Sequence, residues 1–346
     1  MMLEIFLFVL GLVLLVKGSE YFVKYSSLIA KRLGVSEFVI GLTLVALGSS
    51  IPELASSIAA ALFRDSGLIM GNIVGSNIAN IGLVIGLISS FYLIKTKKAM
   101  LKRDGFIMLF AAILFFLFIL DGLISWPEGL VFLFFYVVYL LFLFEEKPGE
   151  DIRSFIRYFF RLKYLATIKS RVLYIDHDKK KKIKEKKKVK RILEWALAKD
   201  FFIAALGAGA VVLGADFFIR EAVFFADILN IPTNIIGISL VALGTSLPEL
   251  MISFSAARKG FGGIAVGNII GSNIANIFLV GGVSALIFPL TVVKETIYFT
   301  VPFMIAMTLL LLVFLKTSWR IKRWEGMILF FVYILLMVLL MTGVIF

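Results

Sequence analysis

The sequence predicts an all-α polytopic membrane protein: ten transmembrane helices arranged as two inverted five-helix repeats. Three observations predict it. First, the 346 residues are 61% hydrophobic, include 35 Phe and are only 17% charged, far from the balance of a soluble domain. Second, apolar runs recur at about the 20 residues needed to cross a roughly 30 Å hydrocarbon core as helix. They are continuous rather than the short alternating segments of a β-barrel. Third, Leu44-Val-Ala-Leu-Gly-Ser-Ser-Ile-Pro-Glu-Leu54 returns 196 residues later as Leu240-Val-Ala-Leu-Gly-Thr-Ser-Leu-Pro-Glu-Leu250, identical at nine of eleven positions.

The first half, residues 1–145, holds runs at about 2–23, 36–62, 68–94, 104–121 and 127–145. The opening Met-Met-Leu-Glu has no basic n-region and no small-residue cleavage site follows, so the first run is expected to be retained. In it, Lys17 and Glu20 can pair one turn apart near its inner end. The second run carries the first motif. The third carries Gly71-Asn-Ile-Val-Gly-Ser-Asn-Ile-Ala-Asn-Ile81, which recurs at the same offset as Gly267-Asn-Ile-Ile-Gly-Ser-Asn-Ile-Ala-Asn-Ile277 with ten of eleven identical. The second half, 200–346, holds runs at about 200–228, 232–258, 263–290, 297–316 and 325–346. Gly214-Ala-Asp-Phe-Phe218 answers Gly18-Ser-Glu-Tyr-Phe22, and Glu325-Gly326 answers Glu128-Gly129 after one extra residue. Five spans per half is an odd number, so the second half must enter the bilayer in the opposite sense. Repeats of that kind place a substrate near the midplane between them.

Between the halves, residues 146–199 form a basic loop with 18 of the 36 Lys and Arg, including Lys179–Lys182. Such a block repels itself and builds no core. Arg153, Arg157 and Arg161 recur every four residues among Phe155, Ile156, Phe159 and Phe160. That spacing suits an amphipathic helix on an anionic inner leaflet, with a solvated linker as the bland alternative. Membrane lipid is thus an expected partner. Nucleic acid is not, since no recognisable binding fold accompanies the charge.

Charge also sets the orientation. With the N-terminus outside, the inner connections collect Lys24, Lys31, Arg32, Lys95, Lys97, Lys98, Lys102, Arg103, Arg258, Lys259, Lys316, Arg320, Lys322 and Arg323. The outer ones hold only Arg64, Arg220 and Lys294. The excess predicts a multi-pass plasma-membrane protein with both termini outside and the basic loop cytoplasmic. No cysteine is present, which excludes disulfides and thiolate metal sites. The single His177 lies in a run of charges and reads as a solvated residue. No phosphate-binding loop supports ATP coupling, and no enzymatic activity or cofactor is expected.

The chemistry sits in the motifs. Pro52 lacks an N–H and crowds the carbonyl of Gly48, as Pro248 does that of Gly244. Each helix should kink or break there, freeing carbonyls around Ala46–Ser49 and Ala242–Thr245. Beside them stand the hydroxyls of Ser49, Ser50, Thr245 and Ser246 and the carboxylates of Glu53 and Glu249. An ionisable group in such apolar sequence marks an ion or substrate path by default. An all-oxygen set suits hard cations, Ca²⁺ and Na⁺ ahead of Mg²⁺. Two ionised glutamates carry a charge that one Ca²⁺ or two Na⁺ neutralise, so loaded forms should cross between states more easily than the empty one. In the second motif, Gly71 and Gly75, like Gly267 and Gly271, permit close helix approach. Ser76 and Asn80 share one helix face.

These paired motifs resemble the two α-repeats of the cation/calcium exchanger superfamily, particularly its prokaryotic sodium/calcium exchangers. The likeness covers all ten expected helices and excludes the central loop. It implies a secondary antiporter, with calcium at Glu53, Glu249, Ser49 and Thr245. It implies sodium at Ala46, Ser50 and Ser76 in one half and at Ala242, Ser246 and Ser272 in the other. Asn80 and Asn276 would line the centre. Exchange of several Na⁺ for one Ca²⁺ would be electrogenic. Some archaeal relatives, and the potassium-dependent members, carry an acid where this chain has Asn276, so the resemblance argues against potassium dependence. The additional acids of calcium/proton antiporters are absent here, which favours sodium coupling. Two rivals stay open: Ca²⁺/H⁺ antiport on the same fold, and a cation channel or calcium-responsive membrane protein without exchange.

Overall fold

Apolar segments that must satisfy their own backbone groups become helices, and helices make up nearly the whole of this computed structural model. It describes residues 2–95, 98, 100–145, 152–162, 184–228 and 233–341, and its side-chain description does not extend to 184–194 or 233–245. Helix α1 runs Met2–Leu33, followed by a bent pair, α2 over Glu37–Ser49 and α3 over Ile51–Leu62. Then come α4, Ser66–Phe91, α5, Phe106–Phe118, α6, Trp126–Glu145, and the short α7, Ile152–Phe160. The remainder is α8, Lys184–Ile228, α9, Thr233–Arg258, α10, Gly262–Ile287, α11, Val301–Ser318, and α12, Arg323–Met341.

Among the described residues, seven helices are long and apolar enough to cross a membrane, or eight with the bent pair counted as one. This is a multi-pass membrane protein. The expected segments at 104–121 and 232–258 are also helical, as α5 and α9, but lie outside those eight. The first apolar run ends near 23 in the sequence, yet α1 continues to Leu33 because Ser26, Ser27, Ile29 and Ala30 keep one of its faces buried. Helix α8 likewise begins at Lys184, inside the basic stretch.

Packing is densest at the centre. Of their most apolar windows, α4 is 78% and α10 83% buried, against 22% for α1 and 28% for α12, so α4 and α10 form the axis and the others its walls. On one side α1 crosses α8 backbone to backbone. A Cβ added at Gly18 would lie 2.9 Å from the Gly207 carbonyl oxygen, and one at Gly207 would lie 2.8 Å from the Phe22 nitrogen. Gly11 meets Gly214 in the same way, so the two helices run antiparallel. On the other sides Gly86 of α4 abuts Gly326 of α12, and Gly282 of α10 abuts Gly129 of α6. Small residues let helices approach this closely in lipid.

Four two-residue strands stitch the connections: β1 (Ile94–Lys95), β2 (Leu123–Ile124), β3 (Leu290–Thr291) and β4 (Arg320–Ile321). β1 pairs antiparallel with β4, and β2 with β3. Because α5 separates β1 from β2, the two ladders close opposite ends of the bundle. Glu128 and Glu325 cap the helices that follow β2 and β4. Each accepts a backbone N–H three residues back, from Ser125 and from Lys322, both at 2.7 Å. This is the capping-box geometry.

Arg103, which the sequence groups with the charges of an inner connection, is fully buried in the π-helical turn over Met100–Gly105. Its guanidinium lies 2.8 Å from Asp104, its ring contact is the Phe142 face at 5.7 Å, and Tyr139 donates to Asp104 at 3.3 Å. A carboxylate next in sequence lets the charge be buried as a pair.

Candidate functional site

The bend between α2 and α3 is where proline chemistry places it. The helix stops at Ser50, with φ −87 and ψ 9, and α3 departs at 44° with Pro52 in its first turn. Ser49 Oγ donates back to the Ala46 carbonyl at 3.3 Å. The second motif is not broken in the same way. Pro248 sits inside one helix assigned from Thr233 to Arg258, without the interruption seen at Ser50. Proline removes a single ladder bond, and a buried helix can accommodate that loss where neighbouring groups satisfy the freed carbonyl.

Glu53 and Glu249 are both buried, at 1% and 0% exposure. The first motif reaches across to the second acid: Ser50 Oγ donates to Glu249 Oε1 at 3.3 Å, and Ser272 Oγ to the same atom at 3.5 Å. Ser49 Oγ donates to Asn268 Oδ1 at 2.9 Å and lies 3.4 Å from Ser272 Oγ. Ser76 donates to Asn72 Oδ1 at 3.4 Å, and Asn72 in turn donates to the Glu53 carbonyl at 2.9 Å. Ala46 is buried beside this cluster, within 3 Å of a Cβ placed on Gly271. Ser246 is buried as well. Ala242 and Thr245 belong to α9, but their side chains lie outside the described residues.

Behind the acids, four asparagines lock α4 to α10 reciprocally. Asn80 Nδ2 donates to Asn273 Oδ1 at 3.0 Å, and Asn276 Nδ2 to Asn77 Oδ1 at 3.2 Å. Asn77 and Asn273 each donate to the other's carbonyl at 3.4 Å, and to Met304 and Met108 sulfurs at 3.6 Å. Asn72 and Asn268 hold Ser57 and Ser253 at 2.8 and 2.9 Å. Sequence reasoning singles out Asn80 and Asn276 but passes over Asn72, Asn77, Asn268 and Asn273. Their signal is present all the same, since all four recur at the same offset within the motif.

Among the described residues the cluster is short of donors. Both carboxylate oxygens of Glu53, Oε2 of Glu249, and the amide oxygens of Asn80 and Asn276 are buried acceptors with no hydrogen-bond donor among the described residues, and the Ser246 hydroxyl has no partner among them. Buried polar atoms are nearly always satisfied, and a group of acceptors that is not asks for positive charge. A crevice of about 590 Å³ opens beside Ser50, walled by Phe22, Leu47 and Ile51 and by Ala204 and Ala208 of α8. Gly267 and Gly271 approach α2 closely, within 2.6 Å of the Phe38 and Leu42 carbonyls for an added Cβ. No described atom comes within 4 Å of such a Cβ at Gly71 or Gly75. The stretch that would mirror α2 around them is 234–242, whose side chains are not described.

Comparison with known proteins agrees on one family. The model of the sodium/calcium exchanger protein family matches residues 3–145 and 199–342. The chain is 49% identical over 337 residues to the sodium/calcium exchanger MaX1 of Methanosarcina acetivorans, covering 96% of each protein. It is 34% identical to the uncharacterized membrane protein MJ0091 of Methanocaldococcus jannaschii, covering 97% of each. Among solved structures, the sodium-calcium exchanger NCX_Mj soaked with zero Na⁺ and Ca²⁺ superposes with a TM-score of 0.76 at 33% identity. That match covers 98% of this chain and 99% of the other.

Proposed function

This chain belongs to the sodium/calcium exchanger family, and from that premise we propose that it exchanges Na⁺ for Ca²⁺ by alternating access around the Glu53–Glu249 cluster. The carrying observation is the set of buried acceptor oxygens that find no donor among the described residues. One Ca²⁺ would be held by Glu53, Glu249, Ser49 and Thr245. Sodium would take Ala46, Ser50 and Ser76, and Ala242, Ser246 and Ser272. Asn80 and Asn276 would contribute their unpartnered oxygens to the middle of the site. Ca²⁺ accepts about 6–8 oxygens in flexible geometry, which two carboxylates with carbonyls, hydroxyls and water can supply.

The architecture would be ten spans in two oppositely inserted sets of five, residues 1–145 and 200–346, joined by the basic stretch 146–199. The contact pattern supports this reading, because several inter-half contacts have a counterpart about 196 residues on. Gly18 on Gly207 is answered by Gly214 on Gly11, Asn80 on Asn273 by Asn276 on Asn77, and β1 on β4 by β3 on β2. Helices α5 and α9 complete the ten. Both termini would lie outside, and the plasma membrane would carry Na⁺ inward and Ca²⁺ outward, electrogenically.

The mechanism follows from charge. Two ionised carboxylates in a low-dielectric interior are costly until cations neutralise them, so the loaded forms reorient and the empty form stays. Reconstituted vesicles test this with radioactive calcium. Uptake driven by an outward Na⁺ gradient, and sensitive to membrane potential, is the expected result. Uptake driven only by a proton gradient, or calcium flux without any gradient coupling, would replace exchange with proton antiport or a channel.

A further inference from the structure

Helix α7 is not a free linker. It runs back along α6, with Phe155 and Tyr158 buried on Phe142 at 5.3 and 5.5 Å between ring centres and Phe159 stacked on Phe135 at 5.4 Å. It does not close fully on the bundle. A groove of about 470 Å³ remains between it and α5, lined by Leu109, Phe110, Ile113, Phe135, Ile156 and Phe159 among others, all of them apolar. Arg153, Arg157 and Arg161 stand exposed on α7 at its edge, and none has an ion-pair partner among the described residues.

An apolar slot beside unpaired guanidinium groups is complementary to one kind of molecule. Arginine binds phosphate through a planar fork of donors. A cationic side chain at membrane depth needs an anion or must extend to the headgroups. The slot offers no polar partner, which suits hydrocarbon. We propose that this groove is a lipid site: an acyl chain of an anionic phospholipid fills it, and the phosphate lies against Arg153, Arg157 and Arg161. The proposal rests on the membrane assignment but not on the ion selectivity of the central site. Its occupant would fasten α7 to α5, the helix whose Met108 receives the Asn273 bond.

Fluorescence quenching tests it without any transport assay. Ile113→Trp is made in a chain whose four Trp are changed to Phe and placed in mixed vesicles of phosphatidylglycerol and phosphatidylcholine, only one lipid brominated at a time. Brominated phosphatidylglycerol should quench more strongly. The triple Arg153→Gln, Arg157→Gln, Arg161→Gln should reduce that preference by about tenfold or more, given the attraction of each basic side chain to an anionic surface. Equal quenching by both lipids, a preference that survives the triple change, or no quenching by either would overturn the site; the last result would mean that protein covers the groove. If the reporter misfolds, native mass spectrometry of the chain with its own tryptophans replaces it. Retained phosphatidylglycerol that the triple variant loses supports the site, and indifference to the charges refutes it.

Discussion

Among the described residues, no cationic side chain pairs with the acids at the centre. Glu53→Gln or Glu249→Gln removes a ligand and half the site's charge while preserving shape, so Na⁺-driven calcium uptake should vanish. The purified variant should remain folded, its melting temperature no lower than the parent's, because an unpaired buried carboxylate destabilises the protein. Normal uptake in either variant would remove the assignment. Asn77 and Asn273 hold α4 to α10. Asn77→Ala and Asn273→Ala each delete one side of the reciprocal lock and should cost about 1–2 kcal/mol apiece in unfolding within lipid. Their near-equality is the informative part, and a cost confined to one of them would break the equivalence. These polar residues are readable from sequence because they recur unchanged amid drifting apolar neighbours. The burial of Arg103 is not, because its position beside Lys102 suggests a loop: its partner Asp104 is next in sequence, but its cover, Phe142 and Tyr139, comes from folding.

At the scale of elements, the broken helix is the feature that sequence predicts best. Pro52 cannot donate to Gly48, and the chain bends where that bond is missing. Pro52→Ala restores the donor. It should raise thermal stability slightly and depress calcium uptake by about tenfold or more, as a straightened α2–α3 withdraws the Ala46–Ser49 carbonyls. Unchanged uptake would mean that the bend is set by packing rather than by proline. In the second copy α9 is not interrupted at Pro248, so of the kink or break that the rule allows, a break does not occur there. Helix ends are also hard to place, since the end of α1 depends on a buried face that only the assembled bundle supplies. Helix α7, in contrast, follows from the fourfold spacing of its arginines, though its seat on Phe142 and Phe135 does not.

Across the whole molecule, one end is tied differently from the other. Glu20 of α1 pairs with Arg258 at the end of α9, accepts from Lys17 at 3.3 Å, and offers its carbonyl to Lys259 at 2.7 Å. Asp216, at the matching position of α8, pairs among the described residues only within its own helix, with Arg220 at 2.8 Å. The tie holds the α1–α8 pair to the core at the β1–β4 end alone. Glu20→Gln should therefore increase access from that end, and Asp216→Asn should leave it unchanged. The chain contains no cysteine, so Leu47→Cys in the crevice beside Ser50 gives a clean reporter for labelling from either face. Equal labelling of the two variants would dismiss the tie as a surface pair of little consequence.

Each of the short ladders at the two ends joins a strand from before the basic stretch to one from after it, as do the glycine crossings and the asparagine lock. None of those ties is covalent. Two polypeptides made separately, cut anywhere in 163–183, should find each other in the same membrane and work as one machine.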